Sequence, residues 1–566
     1  MPRQVLIINV TRMGDLVQMG ALLARLQEEW PGAAVDLVVD RRFAEVAALL
    51  TGLREVITYD FQELISDSRA AAKSVVALYQ HLAAWARPLV ERRYDRIINL
   101  TFNRPSALLA SYIGAPDIRG AHSAWDGESV IDNPWMAYFT DMHHFRGMNR
   151  FNLVDVYALG GSRPGSFAPL SVSVTAAAAE WAGRLLAESG SPREWIAVQA
   201  GASDAMKAWR PEHFGVTLAQ LSARWSGGIV LIGAPSEQDT IAQVLRTYRE
   251  AGGTGTVVNA AGKTSLEQLV GVLARCRLLL TNDTGPMHLA VGVRTPVIDL
   301  SVGHVDFRET GPHGPGHWVI QPNLDCAPCG FDMVCSHHSC KDRIPTQSVT
   351  DLILHVLGQG ALPPAIPSFT LYQSGVDEDE LGTFRALGPG AATDQEWYSR
   401  FWRRYWYESF TKTPSRIPAD ATFPADAPVA IQHLGGLFPD LDTLCRQADA
   451  IVRLVTTPGT SPTQLQALQG EQAALRDRVV MRAMSHKSST PVTVSFVRTL
   501  HHDYVRGLDR MARHHSLAYR QWRRHIGSIH RQLSGQTEAR PLRSSALGVV
   551  PIVCSAAERA ATVSRS

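Results

Sequence analysis

The feature that most constrains this chain is an alternation of short apolar runs with helical patterns. Near the N-terminus "QVLIINV" gives way to the turn "TRMGD", then to the helical pattern "LVQMGALLARLQEEW" closed by Pro31-Gly32, then to a second Val-rich run, "AVDLVVD". Parallel strands need a crossover, which is usually a helix, and strands covered by helices on both faces read as unbroken apolar runs. "YDRIINL" (94–100) predicts a further strand, and "RPSALLASYIGAP" a helix that stops at Gly114. The pattern restarts after "SRPGSFAPL" (162–170), whose Pro, Gly and Ser mark a linker. "EWIAVQAG", "GGIVLIGAP", "GTVVNAAG", "CRLLLTND" and "TPVIDLSVG" are five more short apolar runs, each ending in Gly, Asn, Asp or Ser. Two doubly wound α/β domains in series, 1–170 and 171–360, follow, with ligands expected at the C-terminal strand ends and in the cleft between domains.

Single cores stop growing near about 250–300 residues, so 566 residues at 45% hydrophobic require more than one. Beyond residue 360 the pattern changes. "LPPAIPSF" and "PSRIPADATFPADAP" are Pro-rich breaks; Trp397, Phe401 and Tyr405 recur at i, i+4, i+8, and Phe496, Leu500, Tyr504, Leu508 and Met511 repeat a helical spacing. Residues 361–566 are predicted to be a mainly helical extension without strands.

No stretch approaches the roughly 20 apolar residues of a spanning helix, and "VLIINV" is too short for a signal peptide, so a soluble, cytoplasmic protein is expected. In a reducing compartment Cys276, Cys445 and Cys554 are expected as small buried hydrophobes. The net charge of +2 hides an asymmetry: residues 481–566 carry 14 Lys and Arg against 4 Asp and Glu. Such a basic excess suits an acidic partner, whether a phosphorylated glycan, an anionic membrane or nucleic acid.

Three stretches can carry chemistry. In "VTRMGDL", Asp15 follows a strand at a helix start beside Gly14, which suits a general base open to a ligand; a plain N-cap aspartate is the competing reading. "QAGASDAMKAWRPEHF" sets Gly201, Ser203 and Lys207 just after a strand, a small-residue loop with a hydroxyl and an ammonium, as diphosphate binding requires; the Gly-Lys-Ser/Thr order of a Walker loop is missing. "TNDTGPMHLAVGV" places Asp283, Thr284 and Gly285 at a strand end and His288 one turn into a helix. First-turn N–H groups, a hydroxyl and an imidazole there converge on a point where an anionic leaving group can be held, although a capped turn with a core histidine would read the same way.

"CAPCGFDMVCSHHSC" packs Cys326, Cys329, Cys335 and Cys340 into a C-x2-C-x5-C-x4-C run. The first pair has metal-ligand spacing and the second is wider, so a structural zinc or iron, reduced thiols packing a loop, and a redox disulfide all stay open. His337 and His338 could substitute as ligands, but adjacent side chains rarely both point into one site.

"TNDTGPMHLA", with "GASDAMKAWRP" about 80 residues before it and "TRMGD" at the N-terminus, resembles glycosyltransferase family 9, the ADP-heptose:lipopolysaccharide heptosyltransferases, over residues 1–350. "SVGHVDFRETGPHG" resembles the segment that follows, although the family's Pro-Thr-Asp-Pro portion is here Gly303-His304-Val305-Asp306. The resemblance implies a GT-B fold, two Rossmann-like domains facing across a cleft, and transfer with inversion. It implies that Asp15 deprotonates the acceptor and that Ser203, Lys207, Thr284 and Gly285 hold the diphosphate. It places Asp283 near the donor sugar, His288 behind the phosphates and Glu237, in "IGAPSEQD", on the ribose, although an exposed helix-start Glu would look the same. No cofactor is required for catalysis, since a Lys and helix N–H groups can neutralise the leaving diphosphate.

The expectation is therefore an inverting transferase moving heptose from ADP-heptose to a cell-envelope glycan, lipopolysaccharide core first, protein as the alternative acceptor, and no nucleic acid partner. A non-catalytic sugar-nucleotide-binding scaffold is the reading of another class. The resemblance does not reach residues 361–566. There Trp397, Trp402, Arg403, Arg404 and Trp406 suit either an interfacial helix on the anionic inner membrane or a buried aromatic helix, and "RQWRRHIGSIHRQL" (520–533) reads foremost as a solvated face.

Overall fold

A computed structural model describes residues 2–535 except 61–74, 125–126, 132, 143–144, 191, 331–332, 389–393, 421, 503–504 and 506. Tyr504, Cys554 and the basic residues after 535, all named above, lie outside the described residues.

The first sheet holds β1 (Gln4–Ile8), β2 (Ala34–Asp40), β3 (Glu55–Tyr59), β4 (Arg96–Asn99), β5 (Asp117–Ser123) and β6 (Ser129–Ile131) in the order β3-β2-β1-β4-β5-β6. All pairs are parallel except β5–β6. The unbroken apolar run of β1 is explained by its two faces. Val5 and Ile7 point into a core shared with C-terminal helices, Leu6 and Ile8 into a second core closed by Leu89, Tyr94 and Ile113.

The second sheet repeats this winding. β7 (Trp195–Gln199), β8 (Gly228–Ile232), β9 (Val257–Asn259), β10 (Leu278–Thr281), β11 (Val297–Leu300) and β12 (Trp318–Pro322) pair in parallel in the order β9-β8-β7-β10-β11-β12. In both sheets the winding reverses beside the first strand, between β1 and β4 and between β7 and β10, and at such switch points the loops leave room for a ligand. The α/β class and the two Rossmann-like sheets read from the sequence are those observed.

The expectation of no strands after residue 360 is corrected. β13 (Phe369–Val376) and β14 (Gly382–Leu387) form a hairpin that adds antiparallel to β12. Phe369 and Leu371 pack into one core and Tyr372 and Phe384 into another, so both faces of the hairpin are covered, and the Gly, Ser, Thr and Gln between them break up the apolar run that would mark such strands in the sequence.

The Asp394–Thr411 helix settles one alternative. Trp402 is 0% exposed, Trp406 and Arg403 are buried with it, and Trp397 and Arg404 are half-buried. Trp406 stacks on Phe410, which meets Trp135 edge-on, so the aromatic face packs on the Pro134–Met142 helix of the first unit rather than on lipid. Arg403 donates to both Asp379 oxygens at 3.0 and 2.7 Å, to the Gly382 carbonyl and to the Arg150 carbonyl, while Glu396 pairs with Arg150 and with Arg308 of the second unit. One helix is thereby tied to both sheets.

Helices Ala427–Thr456, Pro462–Met484, Thr490–His502 and Leu508–Leu533 complete the extension. Leu434, Leu437, Leu441 and Leu444 form the buried stripe of the first of these, at i, i+3, i+7, i+10. Basic residues meet acids of that helix: Arg520 pairs with Asp449, Arg523 with Asp442 and Arg482 with Asp440. No described helix is long and apolar enough to cross a membrane.

Candidate functional site

The loops after β1, β7 and β10, with the segment after β11, build one site between the two sheets. After β1, buried Asn9 organises the turn: its amide donates to the Asp15 carbonyl at 3.3 Å, its oxygen accepts from the Thr11 N–H and hydroxyl, and Val10 N–H donates to Thr101 Oγ1. The Met13–Gln18 helix has Arg12 as its N-cap, so Asp15 lies at its third position and not at the cap; the carboxylate accepts the Arg12 N–H at 3.3 Å and is half-buried.

This helix touches the Gly285–Gly292 helix of the second unit. The His288 ring lies so close to Gly14 that an added Cβ would sit 3.2 Å from its Cδ2, and Met13 covers Gly285 so tightly that a Cβ there would sit 2.0 Å from the Met13 methyl. His288 is 3% exposed, its Nδ1 has no partner among the described residues, and burial pushes its pKa down to about 4 against the pull of Asp15. A neutral imidazole therefore sits behind Gly14 at neutral pH.

After β7 the chain passes Gly201 and exposed Ser203 into the 3-10 turn Ala205–Lys207, started by Asp204 accepting the Met206 N–H. Gly303 braces the turn: its φ is +69°, and a Cβ there would lie 2.3 Å from the Met206 carbonyl oxygen. Only glycine meets both demands. Asn282, fully buried, ties this loop to the β10 loop by donating to the Ala200 and Gly201 carbonyls and accepting the Trp209 N–H. Lys341 Nζ donates to the Ala205 carbonyl from the other side.

After β10, Asp283 is 8% exposed and accepts Thr310 Oγ1 at 2.5 Å. Desolvation raises its pKa, with the Lys207 charge, the Thr310 hydrogen bond, Arg146 and His304 pulling it back. Thr284 starts the Gly285–Gly292 helix without capping it; its hydroxyl lies 3.2 Å from that of Thr281. The first turn is thus left with donors for a ligand. Glu237 is not a free helix-start residue: its carboxylate accepts Gln199 Nε2 at 2.9 Å and the Ala234 N–H at 2.7 Å, and lies where a Cβ on Gly201 would be, 2.0 Å from Oε1.

The Gly303-His304-Val305-Asp306 departure has a structure of its own. Asp306 caps the Phe307–Thr310 helix, and Arg146 of the first unit donates to Glu309 Oε2 at 2.8 Å and to the His304 carbonyl. Arg146, Asn282 and Thr310 were missed as site residues. Asn282 and Thr310 lie inside quoted motifs, whereas "FRGMNR" around Arg146 has no pattern to find.

The four clustered cysteines stand as free thiols beside this site: Cys329 N–H donates to the Gly303 carbonyl, His338 N–H to Cys335 Sγ, and burial pushes the Cys329 and Cys340 thiols up. His337 is engaged by Ser339. Among the described residues no group of three or more His, Cys, Asp or Glu is arranged to hold a metal ion. The zinc or iron allowed by the spacing finds no support in this geometry.

Residues 82–340 match the family model for glycosyltransferase family 9 (heptosyltransferase). They form a family 9 glycosyltransferase domain. The chain is 24% identical over 300 residues to lipopolysaccharide heptosyltransferase 3 of Escherichia coli, covering 52% of this chain and 83% of that protein. It is 25% identical over 306 residues to lipopolysaccharide heptosyltransferase 2 of Escherichia coli K12, covering 52% and 82%. Among solved structures, the family 9 glycosyl transferase of Veillonella parvula aligns with a TM-score of 0.49 at 19% identity, over 63% of this chain and 98% of that one. The Lys207 loop, the Asp283–His288 turn and the thiol cluster all fall within the matched family 9 segment, and Asp15 precedes it.

Proposed function

We propose that this chain is an inverting glycosyltransferase that moves heptose from ADP-heptose to a cell-envelope glycan, the lipopolysaccharide core being the acceptor class. The observation that carries the reading is the meeting of two walls: Asp15 on one, and Lys207, Asp283, Thr284 and His288 on the other, joined where Gly14 faces His288. The relatives' names, lipopolysaccharide heptosyltransferase 3 and 2, agree with it.

A single displacement needs a base on one face of the anomeric carbon and a leaving-group site on the other. In this reading an Asp15 oxygen takes the proton from an acceptor hydroxyl as that oxygen bonds to the anomeric carbon, and the bond to ADP breaks with its electron pair going to the diphosphate. The Lys207 ammonium, the Ser203 and Thr284 hydroxyls and the N–H of Gly285 receive that charge. Asp283, oriented by Thr310, hydrogen-bonds sugar hydroxyls, and Glu237, fixed by Gln199 and Ala234, faces the ribose. His288, neutral and buried, packs behind the diphosphate without adding charge.

The test is incubation of the protein with ADP-heptose, UDP-glucose and GDP-mannose against lipopolysaccharide acceptors lacking heptose, with products read by mass spectrometry and the new anomeric configuration by NMR. Heptose transfer with inversion is expected. Transfer with retention, or turnover of another donor only, would refute it.

A further inference from the structure

β11 is buried on both sides, yet its third residue is an acid. Asp299 is 0% exposed, pairs in register with Thr281 of β10, and neither carboxyl oxygen has a hydrogen-bond partner among the described residues. Its strand neighbours Ile298 and Leu300 point into the apolar core of the second unit, and Val297 into the core on the other face. The charged groups acting on it are Asp283, from the turn after β10, and Lys207, from the turn after β7; Arg146 and His304 act in turn on Asp283.

An ionised carboxylate without a hydrogen bond in such a place is strongly disfavoured, so the group that keeps its proton is the one with no partner. Of the two acids, Asp283 has the Thr310 hydroxyl together with Lys207, Arg146 and His304 to support a negative charge, whereas Asp299 has no hydrogen-bond partner among the described residues and only Lys207 acting in favour of its charge. An ionised Asp299 would compete with a diphosphate for Lys207.

We propose that Asp299 is a positioning residue that carries a proton in the donor-bound state, leaving the Lys207 ammonium free for a nucleoside diphosphate and the negative charge to Asp283. This rests on the reading of the Lys207 loop as the diphosphate site. Burial, then the Asp283 charge, hold the Asp299 acid well above the carboxylate range, which agrees with the geometry. When pH rises far enough to ionise Asp299, binding the anionic ligand returns one proton from solvent to its carboxyl, and affinity falls.

The experiment is calorimetric titration of the full chain and of Asp299→Asn with ADP from about pH 6 to about pH 9, with the infrared C=O stretch of protonated carboxylic acids recorded at neutral pH. In the unsubstituted protein the affinity is expected to fall on the alkaline side by up to about tenfold per pH unit, the one-proton limit. In Asp299→Asn that fall disappears, and so does one protonated-carboxyl band. Should Asp299→Asn fail to fold, titrations of the unsubstituted protein in two buffers of different ionisation heat read the proton uptake directly. ADP binding with the same alkaline limb in both proteins, zero proton uptake on that limb, or no band lost would overturn the role of Asp299 alone. Failure of the unsubstituted protein to bind ADP at any pH would overturn the diphosphate reading itself.

Discussion

The imidazole of His288 rests against Gly14, so that an added methyl at position 14 would lie 3.2 Å from Cδ2 and 3.6 Å from Nε2. The glycine's φ is not positive, so alanine there strains no backbone; it pushes the two walls apart by a few tenths of an ångström. Gly14→Ala is expected to lower kcat/KM about tenfold, about 1.4 kcal/mol, with thermal stability nearly unchanged, because the loss is one of alignment. Steady-state kinetics beside a melting curve check this; unchanged kinetics would mean that the contact does not set the distance between the walls.

Gly303 is the opposite case. With φ at +69° and the Met206 carbonyl oxygen 2.3 Å from any Cβ, Gly303→Ala faces backbone strain and a clash at once. A left-handed conformation alone costs about 1–2 kcal/mol for an L residue. The substitution should lower stability by at least that amount and weaken ADP binding by displacing the Lys207 turn, as urea unfolding and calorimetry would show.

Arg403 and Asp379 form a buried pair, their side chains 3% and 0% exposed. Removing one partner of such a pair leaves an uncompensated charge and costs about 3–5 kcal/mol. Arg403→Ala is expected to unfold at markedly lower urea concentration, and Asp379→Asn together with Arg403→Met to recover much of the loss.

Stability should fall on acidification, and His317 is a clean reporter because it lies outside the proposed donor site. Burial holds its pKa down to about 4, so below about pH 6.5 the unfolded chain binds a proton that the folded one refuses. The stabilisation is complete above about pH 6.5 and declines toward pH 4 by up to about 1.4 kcal/mol per unit. His317→Leu should flatten the stability profile by one proton in that window and leave it unchanged above. Glu309 works the other way: desolvation raises its carboxyl to about 7, so it favours the folded state less as pH rises from about 4.3 to 7.

What could be read from the sequence follows from how local its cause is. The sheet pattern was legible because β1 and β7 are buried on both faces and must be apolar throughout. The Asp283–His288 turn was legible because strand end, Pro286 and helix start lie within ten residues. Arg146 and Thr310 were not, since they act through partners 163 and 27 residues away. The role of Trp402 and Arg403 stayed open for a related reason: an aromatic, basic helix looks the same whether its partner is a lipid surface or the Trp135 and Tyr138 face of another helix. Asp299 was visible as a lone acid in "TPVIDLSVG", but its lack of partners is a property of the packed sheet.

The proposal that two walls divide base and leaving-group chemistry is tested most directly by Asp15→Ala, measuring heptose transfer from ADP-heptose and ADP affinity on the same preparation. Loss of a general base should lower kcat by at least about a hundredfold, while ADP affinity stays within about threefold because Lys207 and the Asp283–His288 turn are untouched. Transfer by Asp15→Ala at the rate of the unsubstituted protein would contradict the account.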